Sequence, residues 1–235
     1  MRDALVFSSA SQLDFQDVRA NVIRIPEVVN RIREAQSIWD TASQQPLDLT
    51  NFIASDDSIF LRQIRMKSFA TAVVQVGLLD RYLRQFELPE FVVGVINGDS
   101  PLRVAVGQAG FLELVTESPA LGANPESGMR LVAPGGLPVL SGVQIAEYAI
   151  YRRLTSGTYE RVPSEAREME AMLLDLVDRF ELNRIVSVGP GNALLGRKFG
   201  ERTAREVHVL ESIDLDPMLA WFWTGQRESR LALAN

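Results

Sequence analysis

A β-rich run, FVVGVI at residues 91–96, passes through Asn97-Gly98-Asp99 into a helix-like stretch at residues 101–108. Strand, glycine-framed turn and helix in that order form the unit from which α/β sheets are built. Other segments repeat the alternation. Residues 3–7 (DALVF) read as a short strand, and Pro26 opens a predicted helix over residues 26–40 with Val29, Ile32 and Ile38 on its inner side. Residues 58–65 read as a weaker helix. Residues 67–86 are apolar on nearly every side, which predicts a helix buried at the centre. Residues 164–180 carry apolar side chains at three- and four-residue spacing, from Ala166 to Phe180, with Ser164 placed to cap a helix. RIVSVGPG predicts a strand running into a Gly-Pro-Gly turn and a helix around residues 192–199, and REVHVLESI a last strand. The expected class is α/β with a mainly parallel sheet.

Composition removes several functions. The 235 residues contain no cysteine and one histidine, His208. Thiol catalysis, thiolate metal sites and disulfides are therefore excluded, and any histidine base must be His208. A net charge of −6 without a basic patch argues against nucleic acid and against anionic membranes. The opening MRDALVFSSASQ lacks a basic region followed by a long apolar run, so no signal peptide is expected. No stretch is apolar enough to span a bilayer. The expectation is a soluble, cytoplasmic protein that uses no cofactor and no metal.

The segment VVGVINGDSPLRVAVGQAGFLELV, residues 92–115, resembles the stretch around the active serine of malonyl-CoA:acyl-carrier-protein transacylases and polyketide synthase acyltransferase domains. The family's elbow glycines fall on Gly94 and Gly98, and Val106, Gly107 and Phe111 match farther on. IVSVGPGNALLG, residues 185–196, resembles the family's C-terminal GPG segment, and VFSSASQ its opening. The resemblance implies an α/β-hydrolase-like large domain spanning 1–235. A short Gly/Pro-rich stretch at about 119–142 would replace most of the family's small ferredoxin-like subdomain, and a second shortening would fall between Tyr151 and Pro163.

The resemblance also implies lost chemistry. A nucleophile elbow holds its residue in a strained turn above the sheet, beside amides that stabilise an oxyanion. Here the nucleophile slot is Ile96, which has no nucleophilic atom, and a β-branched side chain there implies a relaxed turn. The slot of the malonyl-binding arginine is Leu121, and that of the histidine is Ile145, or Gln144 one residue earlier. The oxyanion-donating backbone would fall on Ser9 or Ala10. The expected protein is a non-catalytic acyltransferase-like binder or scaffold, linked to a fatty-acid or polyketide synthase system. Its implied partners are a second copy, an acyl carrier protein or a synthase subunit, at the face left by the missing subdomain.

The alternative is weak or relocated acyl transfer or hydrolysis, with Ser100 or Ser141 acting beside His208. Blander readings stand beside these. Gly189-Pro190-Gly191 could open an anion-binding helix. His208, between Val207 and Val209, reads as an edge residue, and Glu165, Arg167, Glu168 and Glu170 as a solvated helix face.

Overall fold

The computed structural model describes residues 3–10, 12–56, 63–122, 147–191 and 207–219. Six strands form one mixed sheet: β1 (Asp3–Val6), β2 (Phe91–Val95), β3 (Tyr148–Arg153), β4 (Tyr159–Val162), β5 (Arg184–Ser187) and β6 (His208–Glu211). Their order is β4-β3-β2-β1-β5-β6. The four strands β2, β1, β5 and β6 run parallel, while β3 lies antiparallel to both β2 and β4. The sheet is thus mainly parallel, as expected, and adds an antiparallel hairpin on one side that the sequence reading did not foresee. The hairpin occupies the stretch between Tyr151 and Pro163 that the resemblance marked as shortened. Its turn is formed around Gly157, whose amide donates to the Leu154 carbonyl oxygen at 2.9 Å.

Seven α-helices cover the described sheet: α1 (Phe15–Ala20), α2 (Pro26–Ala42), α3 (Leu49–Ala54), α4 (Ile64–Leu83), α5 (Pro101–Ala105), α6 (Phe111–Thr116) and α7 (Met169–Phe180). Helices α1 to α6 contribute to one apolar cluster together with Leu5, Phe7, Val92, Tyr151, Val186 and Val188. Helix α7 contributes to the other, with Ala4, Val6, Phe91, Val93, Ile150 and Ile185. Neighbours in β1, β2 and β5 alternate between the two clusters. Both faces of the sheet are therefore buried, which is why these strands read as continuous apolar runs.

Helix α4 lies at the centre of the larger cluster. Every residue from Phe69 to Leu79 is buried. Two aspartates, Asp14 and Asp48, accept from first-turn amides and start the short helices α1 and α3. Helix α2 begins with Pro26 as expected, but its buried face carries Val28, Ile32, Ala35 and Trp39, with Val29 and Ile38 only half-buried. The reason is its contact with α4: a Cβ built on Gly77 would stand 2.6 Å from the Val28 Cα, so α4 meets α2 backbone to backbone at that point. Trp39 then stacks at a tilt on Phe69, with ring centroids 5.4 Å apart. Helix α7 has the predicted apolar stripe, Met169, Met172, Leu173, Leu176 and Val177, but starts five residues later than Ser164. Ser164 instead accepts from the Ala166 amide in the preceding turn, at 3.2 Å. The stretches expected as helices at residues 58–65 and 192–199 lie wholly or largely outside the described residues. So does most of segment 119–142. Among the described residues no helix is long and apolar enough to cross a membrane.

Candidate functional site

The carboxyl ends of β1, β2, β5 and β6 face the same side, the edge where open α/β sheets gather their functional loops. The turn after β2 carries Ile96. Its amide donates to the Glu147 carbonyl oxygen at 2.7 Å, which carries the β2–β3 ladder one residue past the strand. Among the described residues Glu181 is the only non-glycine with positive φ, so Ile96 sits in ordinary backbone. Its side chain is half-buried and packs on the larger cluster. The turn is relaxed at Ile96, a side chain with no nucleophilic atom. Helix α5 starts with Pro101, which has no N–H, and the Ser100 amide donates to the Asn97 carbonyl oxygen at 3.2 Å. These two positions leave nothing to aim at an oxyanion.

The segment after α6 docks onto this turn. A Cβ at Gly98 would stand 2.1 Å from the Glu117 carbonyl oxygen, so only glycine fits without moving backbone. Arg103 Nη1 donates to the Gly98 carbonyl oxygen at 3.0 Å and to Glu117 Oε2 at 2.6 Å. Ser118 Oγ donates to Asp99 Oδ2 at 2.9 Å and accepts from the Ala120 amide at 3.2 Å. The Leu121 amide donates to the Ser118 carbonyl oxygen at 3.0 Å, which holds the half-buried Leu121 beside the same turn. Ile96 and Leu121 are thus carried by segments that dock on one another. Ile145, Gln144 and Ser141 lie outside the described residues, yet Glu147, two residues beyond Ile145, is the partner of the Ile96 amide.

The loop after β1 and the Gly-Pro-Gly turn after β5 close on one another. The Ser9 amide donates to Gln12 Oε1 at 3.2 Å, so it is spent within its own loop. Ala10 follows it in the same loop. The Asp14 amide donates to the Pro190 carbonyl oxygen at 2.9 Å. Gln75 of α4, 1% exposed, donates through Nε2 to the carbonyl oxygens of Ser8 at 3.0 Å and Val188 at 3.1 Å. One buried amide therefore ties the ends of the neighbouring strands β1 and β5 together. Gly189 and Gly191 take φ of 111° and 120°. The Gly191 amide donates to Glu211 Oε1 at 3.1 Å. A carboxylate thus occupies the Gly191 amide, and the helix that the anion-binding reading needs after this turn lies outside the described residues.

Of the relocated pairs, Ser100 and His208 do not come together, and Ser141 lies outside the described residues. Ser100 is 1% exposed and donates its hydroxyl to the Val95 carbonyl oxygen, at the carboxyl end of β2. His208 starts β6 opposite Arg184, at the amino end of the parallel strands, with β1 and β5 lying between. It is exposed on the sheet's edge strand. In the charge run, Glu165 and Arg167 precede α7 rather than line it, Glu168 is its cap, and Glu170 is half-buried.

The sequence reading missed three polar side chains: Asp99, Ser118 and Gln75. Asp99 is 2% exposed, and burial pushes its carboxyl above the usual range, with the Ser118 hydrogen bond pulling it part of the way back. A further buried network joins the segment after β6 to the helices. Arg81 Nε meets Asp216 Oδ2 at 2.5 Å, and Arg81 Nη1 and Arg84 Nη1 lie 3.5 and 2.9 Å from Glu27 Oε1.

Together these features define an α/β protein with a mixed six-stranded sheet and a strand–turn–helix unit at the carboxyl edge. Comparison of this chain with protein-family models, curated proteins and solved structures found no match.

Proposed function

We propose that this chain is a non-catalytic, acyltransferase-like protein that acts by holding another protein. The observation that carries the reading is the turn after β2. It keeps the glycine spacing and the strand-to-helix order of a nucleophile elbow, but presents Ile96 in unstrained backbone with its amide committed to Glu147. The docking of Leu121 beside that turn brings two slots of the resemblance to one end of the sheet, while Ile145, the third, lies outside the described residues. Two of these slots carry apolar groups where the family holds an arginine and a serine, so this end suits contact with protein rather than with a malonyl carboxylate. In this reading the large domain of the acyltransferase fold is retained and the small subdomain reduced. The partner, met in the cytoplasm, is a second copy of the chain, an acyl carrier protein or a synthase subunit. Relocated acyl transfer through Ser100 has no support, because its hydroxyl is buried and directed at Val95.

The test mixes the purified chain with malonyl-CoA and holo acyl carrier protein. Sedimentation reads complex formation, and mass spectrometry of the carrier reads transfer. Self-association or a carrier complex without malonyl on the carrier is expected. Enzyme-dependent malonylation of the carrier overturns the reading.

A further inference from the structure

Asp99 is a buried carboxyl group with few donors among the described residues. It is 2% exposed, Oδ2 accepts from the Ser118 hydroxyl at 2.9 Å, and Oδ1 has no hydrogen-bond partner among the described residues. Buried carboxylates are ordinarily held by a cation or by two or three donors. The charged groups nearby are engaged elsewhere. Arg103 of α5 is paired with Glu117, the residue that ends α6. Glu147, before β3, pairs with Arg161 of β4, and Asp80 of α4 pairs with Arg31 of α2. Burial drives its titration upward, against the Ser118 hydroxyl and the residue's own amide. Ser118 in turn fixes the segment it belongs to, through the Ala120 amide on its Oγ and the Leu121 amide on its carbonyl oxygen.

We propose that Asp99 and Ser118 form a proton-operated latch that fastens the segment after α6 to the turn after β2. With the carboxyl protonated, a neutral group occupies the buried site and the segment stays docked. When the proton leaves to solvent, a charge remains with one hydroxyl and its own amide to hold it, and docking of residues 117–121 weakens so that water can reach Oδ1. The folded protein binds this proton more tightly than the unfolded chain does. The latch's contribution is therefore fully present below the ordinary aspartate value of about 4 and is lost as pH rises from there through the raised folded value.

The experiment follows the full chain by NMR, titrating the Asp99 carboxyl carbon and measuring amide exchange at Ala120 and Leu121, corrected for intrinsic base catalysis. Wild type should titrate above about 4 and lose protection at both amides as pH rises, by about tenfold for each unit of upward displacement. Asp99→Asn should leave that protection independent of pH, while Ser118→Ala should move the Asp99 titration higher still. Titration of wild-type Asp99 at or below about 4 overturns the proposal, as does an unchanged pH dependence of protection in Asp99→Asn. Should Asp99→Asn fail to fold, the wild-type titration and its displacement in Ser118→Ala decide the matter.

Discussion

A methyl group added at Gly98 would meet the Glu117 carbonyl oxygen at 2.1 Å, whereas one added at Gly122 would meet nothing within 4 Å. The first position is a backbone-to-backbone contact that cannot yield by a side-chain rotation. Gly98→Ala is therefore expected to cost about 1–3 kcal/mol in a urea titration, the range for overpacking, while Gly122→Ala should stay within about 0.5 kcal/mol of wild type. Equal effects at the two sites would contradict the docking described for residues 117–121. At this scale the sequence was legible where a residue type is forced by backbone. The glycine pair framing residue 96 was such a case. Asp99 and Ser118 were not legible, because two polar residues 19 positions apart show no periodicity and their meeting depends on the path of the chain between them. Gln75 was hidden by the apolar run around it.

Among the elements, the long ones were the easiest to read. Helix α4 is buried all round and α7 has a regular stripe, so periodicity alone announces them. Helices α1, α3 and α6 have six residues each, too few for a stripe, although Asp14 and Asp48 are the caps that could have revealed two of them. The β3–β4 hairpin was missed for another reason. Ala149 and Tyr151 enter one cluster and Ile150 the other, so the strand shows no polar alternation, and its remaining signal was the Ser156-Gly157 turn. The segment after β6 is held to α4 by Arg81, whose removal strands Asp216 and weakens the holding of Glu27. Burial pushes the Asp216 carboxyl up, but the hydrogen bond and charge of Arg81, with the amides of Met218 and Leu219, outweigh it and leave the group below its ordinary value. A depressed folded value means stability that is present above about 4 and lost as pH falls through that folded value. Arg81→Leu is expected to cost about 1–3 kcal/mol near neutral pH, the range for leaving a charged group without its hydrogen-bond partner. It should also flatten the acid limb of stability against pH. Urea midpoints at several pH values check both, and an unaltered acid limb would show that Asp216 does not depend on Arg81.

At the scale of the whole molecule, the parallel strands gather the loops after β1, β2, β5 and β6 at one edge, and the chain fills much of that edge itself. Gln75 bridges β1 and β5, Asp14 meets Pro190, Glu211 meets Gly191, and residues 117–121 lie against the turn after β2. In the proposed reading this edge no longer admits an acyl group to a nucleophile, and restoring one atom does not restore the site. A serine at residue 96 would still lack a base, a carboxylate-binding arginine and a strained turn, and proximity of base and nucleophile supplies much of such catalysis. The most direct measurement is the intact mass of the wild-type chain and of Ile96→Ser after incubation with malonyl-CoA. The account predicts that both masses stay those of the unmodified chains. A malonyl adduct on the wild-type protein would contradict it.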